Sequence, residues 1–285
     1  MSINTVLAVI NDLKNIRAVL EKAARISSEQ EADLQILYVY EAPLFSLPDL
    51  FRFKGASTEN VDVVKVEEHI LSTLAEVATH VKPLVYIRID DTLSHIERLT
   101  KHDPQGTLLV LKYDETLSAK IVSHVKGPLL VVKQEEGDYK KIIVPIDLSE
   151  TTRPTIMYVQ KLFTSSKIEL LHEHRFLIDP PVTDVDFLSM PVDNSYEIAL
   201  DETIQKSQKE SFEELKRSMG LEGTFLEQYS SLEDDLERHI RQGGYDLCVL
   251  GFDDKELFFE VSVTLSLLNQ LDIDILVFKQ GATDV

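Results

Sequence analysis

The chain has 285 residues, an apolar fraction of 44% and a formal net charge of −20, most of it carried after residue 136. That length suits two domains of ordinary size, each able to bury a core without disulfides, and the acidic balance argues against nucleic acid and anionic lipid surfaces as partners, because phosphates are gathered by Lys and Arg. No segment approaches the roughly 18 uninterrupted apolar residues of a membrane span, and Met1 leads into a strand without a basic-then-apolar leader, so the cytoplasm is the expected compartment.

In chain order, Asn4 to Asn11 reads as a buried strand and Lys14 to Gln30 as a helix with Ile16, Val19, Leu20, Ala23, Ala24 and Ile26 at helical spacing. Leu34 to Tyr40 is the next strand. Glu41 to Ser57, with two prolines and Phe45, Phe51 and Phe53, reads as a connection. Helical periodicity resumes near Thr58 and lasts to about Val81. There follow a strand Leu84 to Ile89, a helix Thr92 to Lys101, a strand Thr107 to Tyr113, a helix Glu115 to Val125 and a strand Leu129 to Lys133. Alternation of this kind implies βαβ crossovers and a parallel, doubly wound sheet.

Gln134 to Asp138 is short and charged and reads as a linker, after which the same order returns. Strands are expected at Ile142 to Asp147, Lys167 to Glu173, Thr224 to Tyr229, Tyr245 to Gly251 and Ile273 to Lys279. Helices are expected at Glu150 to Phe163, Tyr196 to Met219, Leu232 to Arg241 and Lys255 to Leu268. The Pro-rich stretch His174 to Asn194 is too long for a bare turn and reads as a cleft cover or a disordered connection. Corresponding strands match between the copies: Thr5 to Asn11 with Lys141 to Asp147, Leu108 to Lys112 with Leu247 to Gly251, and Leu129 to Lys133 with Ile275 to Lys279. The chain is thus one α/β unit written twice, as residues 1–136 and 137–285, and each copy should carry its own crevice. Cys248, inside an apolar run, is expected to be a buried and inert thiol.

The passage Tyr139 to Glu150, with Pro145, Asp147 and Ser149 after its strand, resembles the opening of a universal stress protein domain, and Gly127-Pro-Leu-Leu-Val-Val-Lys133 resembles the closing strand of that family. With the element order, the resemblance covers essentially the whole chain and points to a tandem universal stress protein. It implies two doubly wound domains, each a five-stranded parallel sheet in the order 3-2-1-4-5 flanked by helices, packed as an internal pseudo-dimer through their last strands. The apolar edges Leu129 to Val132 and Ile275 to Phe278 are suited to pair with each other, and a homodimer would then need a second surface.

Nucleotide-binding members of that family carry Gly-x-x-Gly, nine residues, then Gly and Ser or Thr after the fourth strand, because a glycine-lined turn brings backbone amides and a helix N-terminus to the phosphates. Here the second copy reads Gly251-Phe-Asp-Asp254 and then, after nine residues, Thr264-Leu265, keeping the first glycine alone. The first copy reads Lys112-Tyr-Asp-Glu115 and then Val125-Lys126, with no glycine in place. A carboxylate such as Asp253 or Asp254 about 5 Å from a phosphate charge costs roughly 3 kcal/mol at an effective dielectric near 20, on the order of a hundredfold in affinity. The remaining pocket positions are divided. Asp147 matches the first-strand aspartate, where the first copy has Asn11; Val39 matches the valine that frames an adenine, where the second copy has Glu173. Asp147 also suits a capping acceptor for the helix that follows it.

His172 and His174 leave one face of a strand and could meet a metal with Asp179 or Asp184, although two histidines without a third fixed ligand are more often ordinary residues at the mouth of a pocket. The acidic pairs Glu67-Glu68, Asp90-Asp91 and Asp234-Asp235 read as solvated helix faces, and no nucleophile elbow, P-loop, dinucleotide fingerprint or metalloprotease helix is present. The expected protein is a non-catalytic, cytoplasmic stress-response protein that needs no cofactor and acts by binding a protein partner or a small ligand. The alternative is a nucleotide or metabolite sensor using the second crevice. Candidate ligand contacts are Pro145, Asp147, His172, Gly251, Asn11 and Val39.

Overall fold

The computed structural model describes residues 2–40, 62–78, 81–89, 91–135, 137–175, 195–228, 232–253 and 259–280. Contacts divide the chain into two compact units. Unit 1 comprises Met1–Asp138, Phe252–Val261 and Asp272–Val285; unit 2 comprises Tyr139–Gly251 and Ser262–Leu271.

In unit 1 the expected alternation is realised as β1 (Thr5–Ile10), α1 (Ile16–Glu29), β2 (Asp33–Tyr40), α2 (Val63–Val77), β3 (Leu84–Ile89), α3 (Thr92–Thr100), β4 (Thr107–Lys112), α4 (Glu115–His124) and β5 (Leu129–Val132). The strands lie in the order β3-β2-β1-β4-β5, and each pair is parallel. Helices cover both faces of the inner strands, so β1, β4 and β5 are almost wholly buried, whereas β3 at the edge leaves Leu84 and Ile89 exposed. Three helices start on an aspartate whose carboxylate accepts an early backbone amide: Asp62 from Lys65, Asp91 from Ser94 and Asp114 from Leu117. The Asp62 cap stands directly before α2 at Val63, and the expected start near Thr58 lies outside the described residues.

Unit 2 contains β6 (Lys141–Pro145), α5 (Thr152–Leu162), β7 (Lys167–Arg175), α6 (Ser195–Met219), β8 (Glu222–Gln228), α7 (Leu232–Gly243) and β9 (Leu247–Asp253), followed by α8 (Phe259–Gln270) and β10 (Asp274–Gln280). Within unit 2 the strands lie in the order β8-β7-β6-β9, the counterpart of β3-β2-β1-β4, and each pair is parallel. Gly220, at φ +66, supplies the left-handed residue that closes α6, and Leu221 N then donates to Lys216 O at 3.0 Å. Strand β7 runs two residues beyond the expected Glu173 and so takes in His174; the connections at 41–61 and 176–194 lie outside the described residues.

The last strand, β10, belongs by its contacts to unit 1. It runs antiparallel to β5, with Ile275 opposite Val131 and Val277 opposite Leu129. Lys279, buried at its end, donates to Val122 O and lies 4.8 Å from the Phe252 ring centroid. Among the described residues no helix is long and apolar enough to cross a membrane.

Candidate crevices at the strand ends

The carboxyl ends of β1 and β4 form the first crevice, and here the chain supplies its own anions. Asn11 is exposed just past β1, and the next residue, Asp12, accepts from Lys14 N at 3.0 Å to start a short 3-10 turn ahead of α1. Val39 is buried in β2. Where a phosphate loop would open α4, the Asp114 carboxylate accepts from Leu117 N at 2.7 Å and the Asp114 amide donates to Ser118 Oγ at 3.1 Å. The Leu117 amide, one of the early donors of α4 that would face a phosphate, is therefore engaged by a residue that also repels one. Beside this turn lies a cleft of about 230 Å³ lined by Lys14, Arg17 and Lys112 and by Glu21 and Glu135. Its charges largely answer one another or their neighbours: Arg17 meets Glu76 at 2.9 Å and Lys112 Nζ reaches Lys133 O at 3.3 Å.

In the second copy the structure gathers Pro145, Asp147 and His172 around Ile146. Pro145 ends β6, Ile146 N donates to Leu171 O at 2.8 Å, and Ile146 O is bonded to His172 Nδ1 at 2.8 Å. Asp147 is exposed and shapes the turn into α5, its Oδ1 accepting from Ser149 N at 2.9 Å and from Thr152 Oγ1 at 3.1 Å, with Leu148 between them at φ +64. It thus holds the approach to the helix rather than the first-turn amides that a capping residue takes. His172 is only 4% exposed, so it is a core residue and not one at a pocket mouth; its ring lies 6.0 Å from Phe212 and 5.3 Å from Phe225. Burial lowers its affinity for a proton, against the pull of the Ile146 carbonyl, Gln208 and Asp147. His174 is also buried and meets Gln208 Oε1 through Nδ1 at 2.7 Å.

Gly251, the surviving glycine of the phosphate pattern, has a packing reason of its own: a Cβ there would stand 2.8 Å from Thr155 Oγ1 on α5. The Asp253 side chain and residues 254–258, including Asp254, lie outside the described parts, as do Asp179 and Asp184. Among the described residues no group of three or more His, Cys, Asp and Glu could hold a metal ion. Cys248 is fully buried, and desolvation raises its thiol pKa well above the ordinary range, away from nucleophilic chemistry. The partners of His172 were not foreseen from sequence, although Gln208 and Phe212 stand four residues apart on one helix, a spacing that places them on one face.

No protein-family model matches the sequence, and no curated protein matches it. Solved structures do. A Pseudomonas aeruginosa protein of unknown function is 14% identical, with 97% of this chain and 92% of that one aligned at a TM-score of 0.67. A candidate universal stress protein from the same species is 15% identical over 97% and 93% of the two chains at 0.66. A universal stress protein of Archaeoglobus fulgidus is 12% identical over 99% and 98% at 0.63. The likeness is one of fold: this chain has the two-domain α/β fold of tandem universal stress proteins.

Proposed function

We propose that the chain is a tandem universal stress protein of the cytoplasm that works without catalysis, by binding a protein partner or a small ligand, and that its first crevice has lost the capacity to seat a triphosphate. The observation that carries this reading is the Asp114 carboxylate on Leu117 N at the head of α4. A fixed negative charge and its hydrogen bond stand where a nucleotide binder would present free amides, and the cleft beside it is smaller than the roughly 300 Å³ at which ligand pockets usually begin. Calorimetric titration of the full chain with ATP and magnesium tests it. The expected result is no saturable heat, and a dissociation constant below about 100 μM would overturn the reading.

A second reading, a metabolite sensor in the second crevice, is favoured by one feature: Asp147 remains exposed at its turn while the ring of His172 holds the carbonyl just before it. An Asp147→Ala variant that binds a retained metabolite as well as the parent does would remove that reading.

A further inference from the structure

Helix α6 is 25 residues long, and among its described side chains Phe212 and Leu215 alone are buried. Over residues 202–219 these two are the buried anchors, and the ring beneath Phe212 is that of His172. This residue stands directly opposite Phe225 in the β7–β8 register, with Phe212 of α6 against the same ring. Its Nδ1 faces the Ile146 carbonyl, which can only accept, so Nδ1 carries the proton of the neutral ring. That leaves Nε2 as a bare acceptor, buried and without a hydrogen-bond partner. A second proton would meet Gln208 as its nearest polar group, and the Gln208 oxygen is already engaged by His174 Nδ1 at 2.7 Å.

We propose that His172 is an acid-sensitive latch for α6: protonation of its Nε2 drives the helix off the β7–β8 face and bares Phe212 and Phe225. An imidazolium left in the seam would have to share the Gln208 oxygen with His174 and would carry a charge with no buried counter-ion beside it, each costly in a buried site. The surrounding charges offer it little. Asp147, on the turn after β6, is the favourable one, and it is exposed to solvent. Within β7, His174 repels a second positive charge, and Glu173 projects from the opposite face of the strand. From α6 come the neutral Gln208 and two cations, Lys209 and Lys216, whose ammonium groups lie 5.7 Å from the Phe225 ring centroid and 5.3 Å from that of Phe212. Their carboxylate partners, Glu227 of β8 at 3.0 Å and Glu213 at 2.9 Å, are already engaged. With α6 docked the ring resists protonation; with α6 lifted it titrates at its ordinary value near 6.5. Docking is therefore fully supported above that value, and the support is lost progressively as pH falls below it towards the lowered value of the docked state. This inference is independent of whether either crevice takes a ligand.

Hydrogen exchange by mass spectrometry on the full chain, at pH 7.5 and pH 5.5 and corrected for intrinsic rates, reads the latch directly. Protection of residues 203–218 should fall about tenfold for the one titrating ring, while β1 and β4 stay unchanged. His172→Asn, which keeps a donor for the Ile146 carbonyl, should flatten that response, and His174→Asn should retain it. Should His172→Asn fail to fold, as judged by loss of protection in β6 and β7 at pH 7.5, proton resonances of the parent imidazoles decide, with His172 titrating below the ordinary histidine range. The latch is overturned by unchanged protection of α6 at pH 5.5, by a response that survives His172→Asn, or by a His172 ring that titrates normally.

Discussion

Lys22 of α1 and Asp274 of β10 form an ion pair with both side chains buried, joining the first long helix of the chain to its last strand. The second carboxylate oxygen of Asp274 accepts from the amides of Lys133 and Gln134, each at 2.8 Å, and Lys22 also donates to Gln134 O at 3.1 Å. A charge so enclosed is tolerated only with its partner in place. Asp274→Asn keeps an acceptor for the two amides but leaves the ammonium uncompensated, and it should cost about 3–5 kcal/mol of stability in urea unfolding. Adding Lys22→Met should restore part of that loss, because the double variant buries no lone charge. A double variant less stable than Asp274→Asn alone would show that the pair acts through shape rather than charge.

Gly251 invites two explanations, and a substitution separates them. If it is kept for packing, Gly251→Ala forces a Cβ against Thr155 Oγ1, 2.8 Å away, and should cost about 1–3 kcal/mol. Thr155→Ala removes the obstructing hydroxyl and should make the glycine replacement nearly neutral in the double variant, a coupling read from thermal or urea midpoints. If both Ala variants lower stability additively, the contact is not what fixes the glycine.

The fold was legible in the sequence because two signals agreed: helix and strand periods alternated, and they did so twice in the same order. The buried runs at Thr5–Ile10 and Thr107–Lys112 announced inner strands of a parallel sheet, and both are, whereas Leu129–Val132, read as an apolar closing edge, lies between parallel β4 and antiparallel β10. Element ends were less legible, since they depend on individual hydrogen bonds such as that from Lys65 N to the Asp62 carboxylate at the head of α2. In the candidate site the missing glycines were plain, whereas the reason Gly251 persists was not, because its neighbour Thr155 is nearly a hundred residues away in the chain. His172 posed the same difficulty. Strand alternation fixed which face it leaves, but only the docking of α6, through Phe212, decides that this face is core and not crevice.

Asp114 holds the argument about phosphate, and it can be tested without a nucleotide. Asp114→Gly removes the acceptor from Leu117 N while leaving a residue that is acceptable at a helix N-cap, so the loss of stability should be a few tenths of a kcal/mol, and Asp114→Ala should cost about 1 kcal/mol. Both variants expose early amides of α4 and remove a negative charge from them. Inorganic phosphate should then stabilise the variants more than it does the parent when each is compared with sodium chloride at matched ionic strength, because an anion that binds the folded state raises the unfolding midpoint. An equal response in parent and variants would mean that the carboxylate does not stand in a phosphate's place, and the proposal that the first crevice cannot seat a triphosphate would lose its main support.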